Sequence, residues 1–316
     1  MPASSVSRRL RILAVLSCLA LPAFAQAQAV LDIGDQRGNA RAVLEAAGQL
    51  KDVPYTIHWH EFPNAAPLLE ALSADKLDAG TVGDAPLTYA GSRSGFNIRG
   101  IFATQYLGNA VIVGQNVKAR SIKDLVGKQI ATVNGSSGNA TALEALQSAG
   151  LPLNAIHFTN LAPGDASTAL AGGSIDGIAT WEPYVSFAVL KSGARIVADG
   201  KNFPSLSYFV ATTQAISTKR AALADLVKRL AAARMWSSTH RTEYAKVISK
   251  IVGIPEDVAF GQITREVNAP SAITPQIIAQ QQRTIDLYLA AGLIKTRVDA
   301  HTLLDSSFGN PLPGAK

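Results

Sequence analysis

Short β-branched, apolar runs alternate along this chain with longer amphipathic stretches, and that alternation restricts the fold more than any other feature. Val30-Leu31-Asp32-Ile33 precedes a helix-like segment from Ala40 to Leu50, Tyr55-Thr56-Ile57-His58-Trp59 precedes Ala65 to Ala74, and Ala79-Gly80-Thr81-Val82 precedes Ala85 to Ser92. Such βαβ order predicts an α/β fold, with parallel-rich sheets covered by helices. Asn109-Ala110-Val111-Ile112-Val113 reads as a strand leaving the first unit. A second unit follows: the strand Gln129 to Val133, a helix from Asn139 to Ala149, then Ile156-His157-Phe158 and Gly177-Ile178-Ala179-Thr180. Ser207 to Thr212 reads as a returning strand, after which Lys219 to Lys250, Glu256 to Val267 and Thr274 to Ala291 are long amphipathic helical runs. The exits near Val111 and Phe209 are the expected crossings between two lobes, one of residues 28–113 and 207–316 and the other of residues 114–206. No Pro/Gly/Ser-rich linker or internal repeat separates them, so strands rather than a flexible tether join the lobes.

The first residues set the compartment. Arg8, Arg9 and Arg11 form a basic segment, an apolar stretch runs from Ile12 to Phe24, and small residues alternate at Ala23, Ala25, Ala27 and Ala29. That order is a signal peptide, residues 1–27, with cleavage after Ala25 or Ala27 and general secretion favoured over twin-arginine export. The apolar run is too short for a permanent span, so a soluble periplasmic protein is expected. Cys18, the sole cysteine, falls in the leader, leaving the mature chain without a thiol nucleophile or a disulfide. Three of the six net positive charges also lie in the leader, and the remaining Lys and Arg are scattered, which excludes a nucleic-acid footprint.

Candidate chemistry lies in the turns after the strands, where open α/β sheets bind ligands. In Asp35-Gln36-Arg37-Gly38-Asn39, Gln36 and Asn39 offer amide donors, Gly38 suits positive φ, and Asn39 suits a helix cap. In Gly83-Asp84-Ala85-Pro86, Asp84 is placed as an N-cap and the amide of Ala85 is available to a ligand. Asn134-Gly135-Ser136-Ser137-Gly138-Asn139 is the strongest oxyanion candidate: a helix start offers free amides and positive potential, and Ser136 and Ser137 add hydroxyl donors. It lacks the Lys and spacing of a nucleotide-binding loop. Trp181-Glu182-Pro183-Tyr184 places two aromatics around an acid at a strand end, a lining typical of small-molecule pockets. Tyr208, on the returning strand, joins the candidate ligand contacts.

Taken in order, Ile33 to Asn39, Glu61-Phe62-Pro63, Gly83 to Pro86, Asn134-Gly135-Ser136, Trp181-Glu182-Pro183 and Ile278-Ala279-Gln280-Gln281-Gln282-Arg283 resemble the aliphatic sulfonate-binding proteins. Those belong with the nitrate- and taurine-binding proteins in one superfamily of periplasmic binding proteins. The resemblance implies a two-lobed type II periplasmic binding protein fold, each lobe a mixed, mostly parallel sheet flanked by helices. It further implies hinge closure over an alkanesulfonate or taurine, and delivery to an ABC permease with a cytoplasmic ATPase. Its binding positions map onto Gln36 to Asn39, Asp84 and Ala85, Ser136 to Asn139, and Trp181 and Glu182. Asp84 stands where the family often has Glu, and Asn139 where it often has His, while Tyr106-Leu107-Gly108-Asn109 is closer to the taurine binders.

The same fold hosts enzymes, yet desulfinase relatives need a cysteine and thiamine-pyrimidine synthase relatives a cysteine-rich, iron-associated site, neither of which the mature chain supplies. His58-x-His60-Glu61 sets two imidazoles on one strand face without an evident third ligand, so a solvated face is the expectation. His157, His240 and His301 are isolated. The sequence therefore predicts a monomeric binding protein without catalysis, cofactor or metal, with Trp181 at the ligand or its entrance.

Overall fold

A computed structural model describes residue 1 and residues 28–312, so the signal-peptide reading and Cys18 lie outside the described residues. Eleven strands form among these residues: β1 (Val30–Gln36), β2 (Thr56–Phe62), β3 (Ala79–Gly83), β4 (Ile98–Tyr106), β5 (Ala110–Val113), β6 (Gln129–Thr132), β7 (His157–Asn160), β8 (Gly177–Thr180), β9 (Arg195–Asp199), β10 (Ser205–Thr212) and β11 (Ala269–Ser271). Helices α1 (Ala40–Ala46), α2 (Ala65–Ser73) and α3 (Asp84–Gly91) follow the first three strands. The second unit carries α4 (Ser137–Ser148), α5 (Pro163–Ala171) and α6 (Tyr184–Ser192). After β10 come α7 (Thr213–Thr218), α8 (Arg220–Thr239), α9 (Arg241–Val252), α10 (Glu256–Glu266) and α11 (Pro275–Ala290).

Two mixed sheets result. One has the order β11-β4-β10-β3-β1-β2 and the other β7-β6-β8-β5-β9. β1 pairs in parallel with β2 and β3, and β6 with β7 and β8, as the βαβ alternation requires. The returning strand β10 enters antiparallel between β3 and β4. Two boundaries are corrected: Ala110–Val113, assigned to the first lobe, pairs antiparallel with β8 and β9, so the second sheet begins before residue 114, and Ser205 and Leu206, assigned to the second lobe, pair with β4 in the first sheet. All four residues of β5 are buried, and a strand that apolar on both faces is stable only inside a sheet.

Alternation along the strands divides the core into layers. Tyr208 and Phe209 are adjacent on β10 but pack in separate clusters, because successive side chains leave opposite faces. Phe209 joins Leu31, Ile33 and Phe102 beneath α1, α8 and α9, while Tyr208 joins Leu68, Leu72, Leu87 and Tyr288 beneath α2, α3 and α11. The second sheet is covered likewise, with Leu125, Ile130 and Leu146 in one cluster and Ile112, Ile178 and Val185 in another. Ala140 and Leu143 of α4 pack into the Tyr208 cluster, tying the two units together beside the site. The expected run from Lys219 to Lys250 breaks at His240, whose backbone leaves helical geometry between α8 and α9. No helix among the described residues is long and apolar enough to cross a membrane.

Candidate binding cleft

The parallel strands aim their carboxyl ends at one cavity of about 980 Å³ between the sheets. Gln36, Gly38 and Asn39 line it from the six-stranded side, and Ser136, Ser137, Trp181 and Glu182 from the five-stranded side. The turns approach one another closely. A Cβ built on Gly83 would lie 2.4 Å from Ser137 Oγ, and one on Gly135, whose φ is +74°, would lie 2.8 Å from the Tyr89 ring. Tyr288 donates its hydroxyl to the Ser136 carbonyl at 2.9 Å.

The first turn is organised from beneath. Asp35 is buried, and its carboxylate accepts the amides of Ala40 (3.0 Å) and Arg41 (3.2 Å), so it satisfies the start of α1 although Asn39 holds the N-cap position. Burial pushes Asp35 up to about 7, against the pull of those amides and of Arg234. Freed from capping, Asn39 accepts Arg234 Nη2 through Oδ1 at 2.5 Å, which commits its oxygen and leaves its amide nitrogen as the donor. Gln36 uses one amide hydrogen on the Thr81 carbonyl at 3.1 Å and keeps the other. Gly38 has φ +86°, and a Cβ there would meet Val252 at 2.6 Å.

Arg234 is the residue that sequence reasoning missed. It sits on α8, only 5 % of its surface is exposed, and it lines the cavity as a buried cation. Glu266, also lining the cavity, is buried and held by Gln262 (3.0 Å) and Asn268 (2.9 Å); burial raises its carboxyl despite the nearby Arg234.

On the opposite wall, Ser136 caps α4 by accepting the Asn139 amide at 3.2 Å. The leading amides, those of Ser137 and Gly138, have no partner within the helix, and the helix start carries positive potential. Trp181 stands edge-on to Tyr184, ring centroids 6.0 Å apart at 89°. Glu182 reaches the cavity but is committed elsewhere: its carboxylate accepts the amide and hydroxyl of Ser186, both at 3.0 Å, and pairs with Arg265 at 2.8 Å. Burial nonetheless pushes it up to about 7.

Five of the sequence-derived candidates stand away from the cavity lining. Asp84 is not the N-cap of α3; Gly83 is, and Asp84 opens the helix. Its buried carboxylate accepts the amides of Ala85 (2.7 Å) and Leu206 (3.0 Å), and Gln281 donates to its carbonyl at 3.3 Å. It joins α3, β10 and α11, and burial raises it to about 6. The Ala85 amide is thereby occupied. Gly138 answers to packing, since a Cβ there would lie 2.6 Å from both the Ala179 carbonyl oxygen and the Thr180 nitrogen. Asn139 turns inward and accepts the Gly135 amide at 3.3 Å. Tyr208 is wholly buried in the core. At the far edge, His60 and His58 approach Asp32 at 2.9 and 3.4 Å on a solvent-facing surface, and no cluster suited to hold a metal occurs among the described residues.

Residues 40–253 match the model of the NMT1-like family. A protein of Escherichia coli K12 named as an aliphatic sulfonates-binding protein is 30 % identical over 277 residues, 85 % of this chain and 86 % of that one. Two solved structures share the fold with a TM-score of 0.79, each over 88 % of this chain and 98 % of the other. They are the alkanesulfonate-binding protein SsuA of Xanthomonas axonopodis pv. citri bound to MOPS, 26 % identical, and the periplasmic aliphatic sulphonate binding protein SsuA of Escherichia coli, 28 % identical.

Proposed function

The chain belongs to the NMT1-like family, alongside the aliphatic sulfonate-binding proteins, and on that premise we propose that it is the periplasmic solute-binding component of an ABC importer, capturing alkanesulfonates for a membrane permease and its ATPase. The observation that carries the reading is the set of donors converging on one cavity. Asn39, Gln36 and the buried Arg234 come from one side, and Ser136, Ser137 and the start of α4 from the other. A sulfonate keeps its charge across ordinary pH, so its receptor needs fixed donors rather than a titrating base. Three or four hydrogen bonds to a charged oxyanion are worth about 1.5–3 kcal/mol each. Ordering and association cost several kcal/mol in return, which leaves an affinity of about 1 μM within reach.

In this reading residues 28–109 with 200–312 form one lobe and residues 110–199 the other, and the monomer closes by rotation about the crossings that flank β5 and β10. Donors placed on both lobes give a ligand more contacts in the closed form, which is what drives such an equilibrium.

A thermal-shift screen of the protein lacking residues 1–27 tests the assignment, with taurine, short and long alkanesulfonates, nitrate and sulfate as ligands. A ligand at about 100 times its Kd adds about 2.7 kcal/mol of stability. A rise of several degrees is expected with at least one alkanesulfonate. Shifts with nitrate or sulfate alone would remove the sulfonate assignment while retaining an anion receptor.

A further inference from the structure

The cavity does not end at the oxyanion donors. Beyond Val82 and Gly83 it continues between α2 and α3, lined by Ala66, Leu69 and Ser73 on one helix and by Pro86, Tyr89 and Ala90 on the other. Spacings of three and four residues place each set on a single stripe of its helix, so two stripes face each other as the walls of a groove. From Ala66 to Ala74 the α2 wall runs about 12 Å. The alanines leave the space between the walls open, Leu69 is buried at the base, and the polar groups lie at the rim, where Glu70, Ser73 and Arg93 are exposed and the Arg93 guanidinium sits 5.8 Å from the Tyr89 ring centroid.

An apolar groove continuous with a set of anion donors fits one kind of occupant, an amphiphile whose charged head is held at the donors. We infer that the α2–α3 groove is a tail subsite, and that this protein selects sulfonates with long apolar tails over short ones, an inference that rests on the sulfonate reading above.

Titration calorimetry with ethane-, butane-, hexane- and octanesulfonate, kept below micelle-forming concentrations, tests it. Each buried methylene should tighten binding about three- to fourfold, and the series should still be rising at octanesulfonate. Ala66→Trp, at an exposed position, fills the groove without entering the core, and Ala90→Leu narrows it from the facing wall. Either variant should flatten the series while ethanesulfonate binds within about twofold of the parent, with circular dichroism confirming the fold. A flat series in the parent, or an unchanged slope in both variants, overturns the tail subsite and leaves the sulfonate reading intact. Binding of the matching alkanecarboxylates without any sulfonate removes the sulfonate reading, and the groove then stands or falls on the chain-length slope of the carboxylates. No response to any of these ligands overturns both.

Discussion

The two halves of the cleft meet an anion with different chemistry. The six-stranded half brings formal charge, Arg234 with the carboxyls of Asp35 and Glu266 around it, each held by hydrogen bonds before any ligand arrives. The five-stranded half brings hydroxyls, helix-start amides and the Trp181–Tyr184 pair, with no Lys or Arg between Ile130 and Leu146 and with the Glu182 carboxyl already taken up by Ser186 and Arg265. A buried charge must be fixed by neighbours or it relaxes or neutralises, whereas the amides of a helix start are oriented by the helix itself. On the proposed reading, one wall would set how strongly an anion is held, and the other its position and shape.

Removing the charged wall should have the largest effect. Arg234→Met keeps an unbranched apolar side chain in place but deletes the cation, and the best sulfonate should bind at least about 30-fold more weakly, in line with the 2–5 kcal/mol cost of truncating a buried charge partner. Titration calorimetry reads the change. Parent-like affinity would mean that the five-stranded wall holds the anion alone and that the contrast between the walls is wrong.

The five-stranded wall divides into a binding part and a packing part, which adjacent substitutions separate. Ser137→Ala should cost one charged hydrogen bond, about 1.5–3 kcal/mol of affinity, and leave the melting temperature of the free protein nearly unchanged. Gly138→Ala should instead lower that melting temperature, because its methyl group meets the Ala179–Thr180 backbone. Calorimetric melts of both variants without ligand decide it. A stable Gly138→Ala protein would refute the close approach of α4 to β8.

The smallest effect expected is on pH dependence. Asp35 titrates near 7 in the folded protein and near the ordinary 3.8 when unfolded, so between those values the native state holds a proton that the unfolded chain has released. Stability from this group is then lost as pH rises from about 4 towards 7, and the dependence levels off above. Asp35→Asn, which retains an acceptor for α1, should show a shallower fall in melting temperature between about pH 5 and 7.5 than the parent. Equal slopes would mean that Arg234 keeps Asp35 ionised throughout.

How much of this was legible in the sequence depended on the range of the interactions involved. The strands β1, β2, β3, β6 and β8 and the turns after them follow from local alternation, and the turns supply much of the cavity wall because parallel strands end on one side. β4 was missed, although it is nine residues long, because Ile98 to Tyr106 lacks clean alternation and its burial comes from β10 and β11 on either side. The small-residue helix α5 and the apolar α6 carry weak periodicity. Arg234 was invisible for a similar reason: on a long helix an arginine reads as surface, and its burial depends on Asn39, 195 residues earlier in the chain. The resemblance mapped Asp84 and Asn139 onto ligand positions, whereas the fold uses both to satisfy backbone groups beneath it.

The position of β10 has a consequence for how such a chain acquires its structure. The five-stranded sheet is drawn from one uninterrupted stretch, Ala110 to Asp199, and can close on its own contacts. The six-stranded sheet cannot, because β10 lies between β3 and β4 and sets Tyr208 opposite Val82, 126 positions apart. Contacts that distant are slow to form, since a long loop must close before any of them is gained. A chain emerging from its amino terminus will have made β1, β2, β3 and β4 long before the strand that unites them, and during that interval the faces that later enclose Phe102 and Leu87 are open to aggregation. The half that carries the charge is thus the last to assemble.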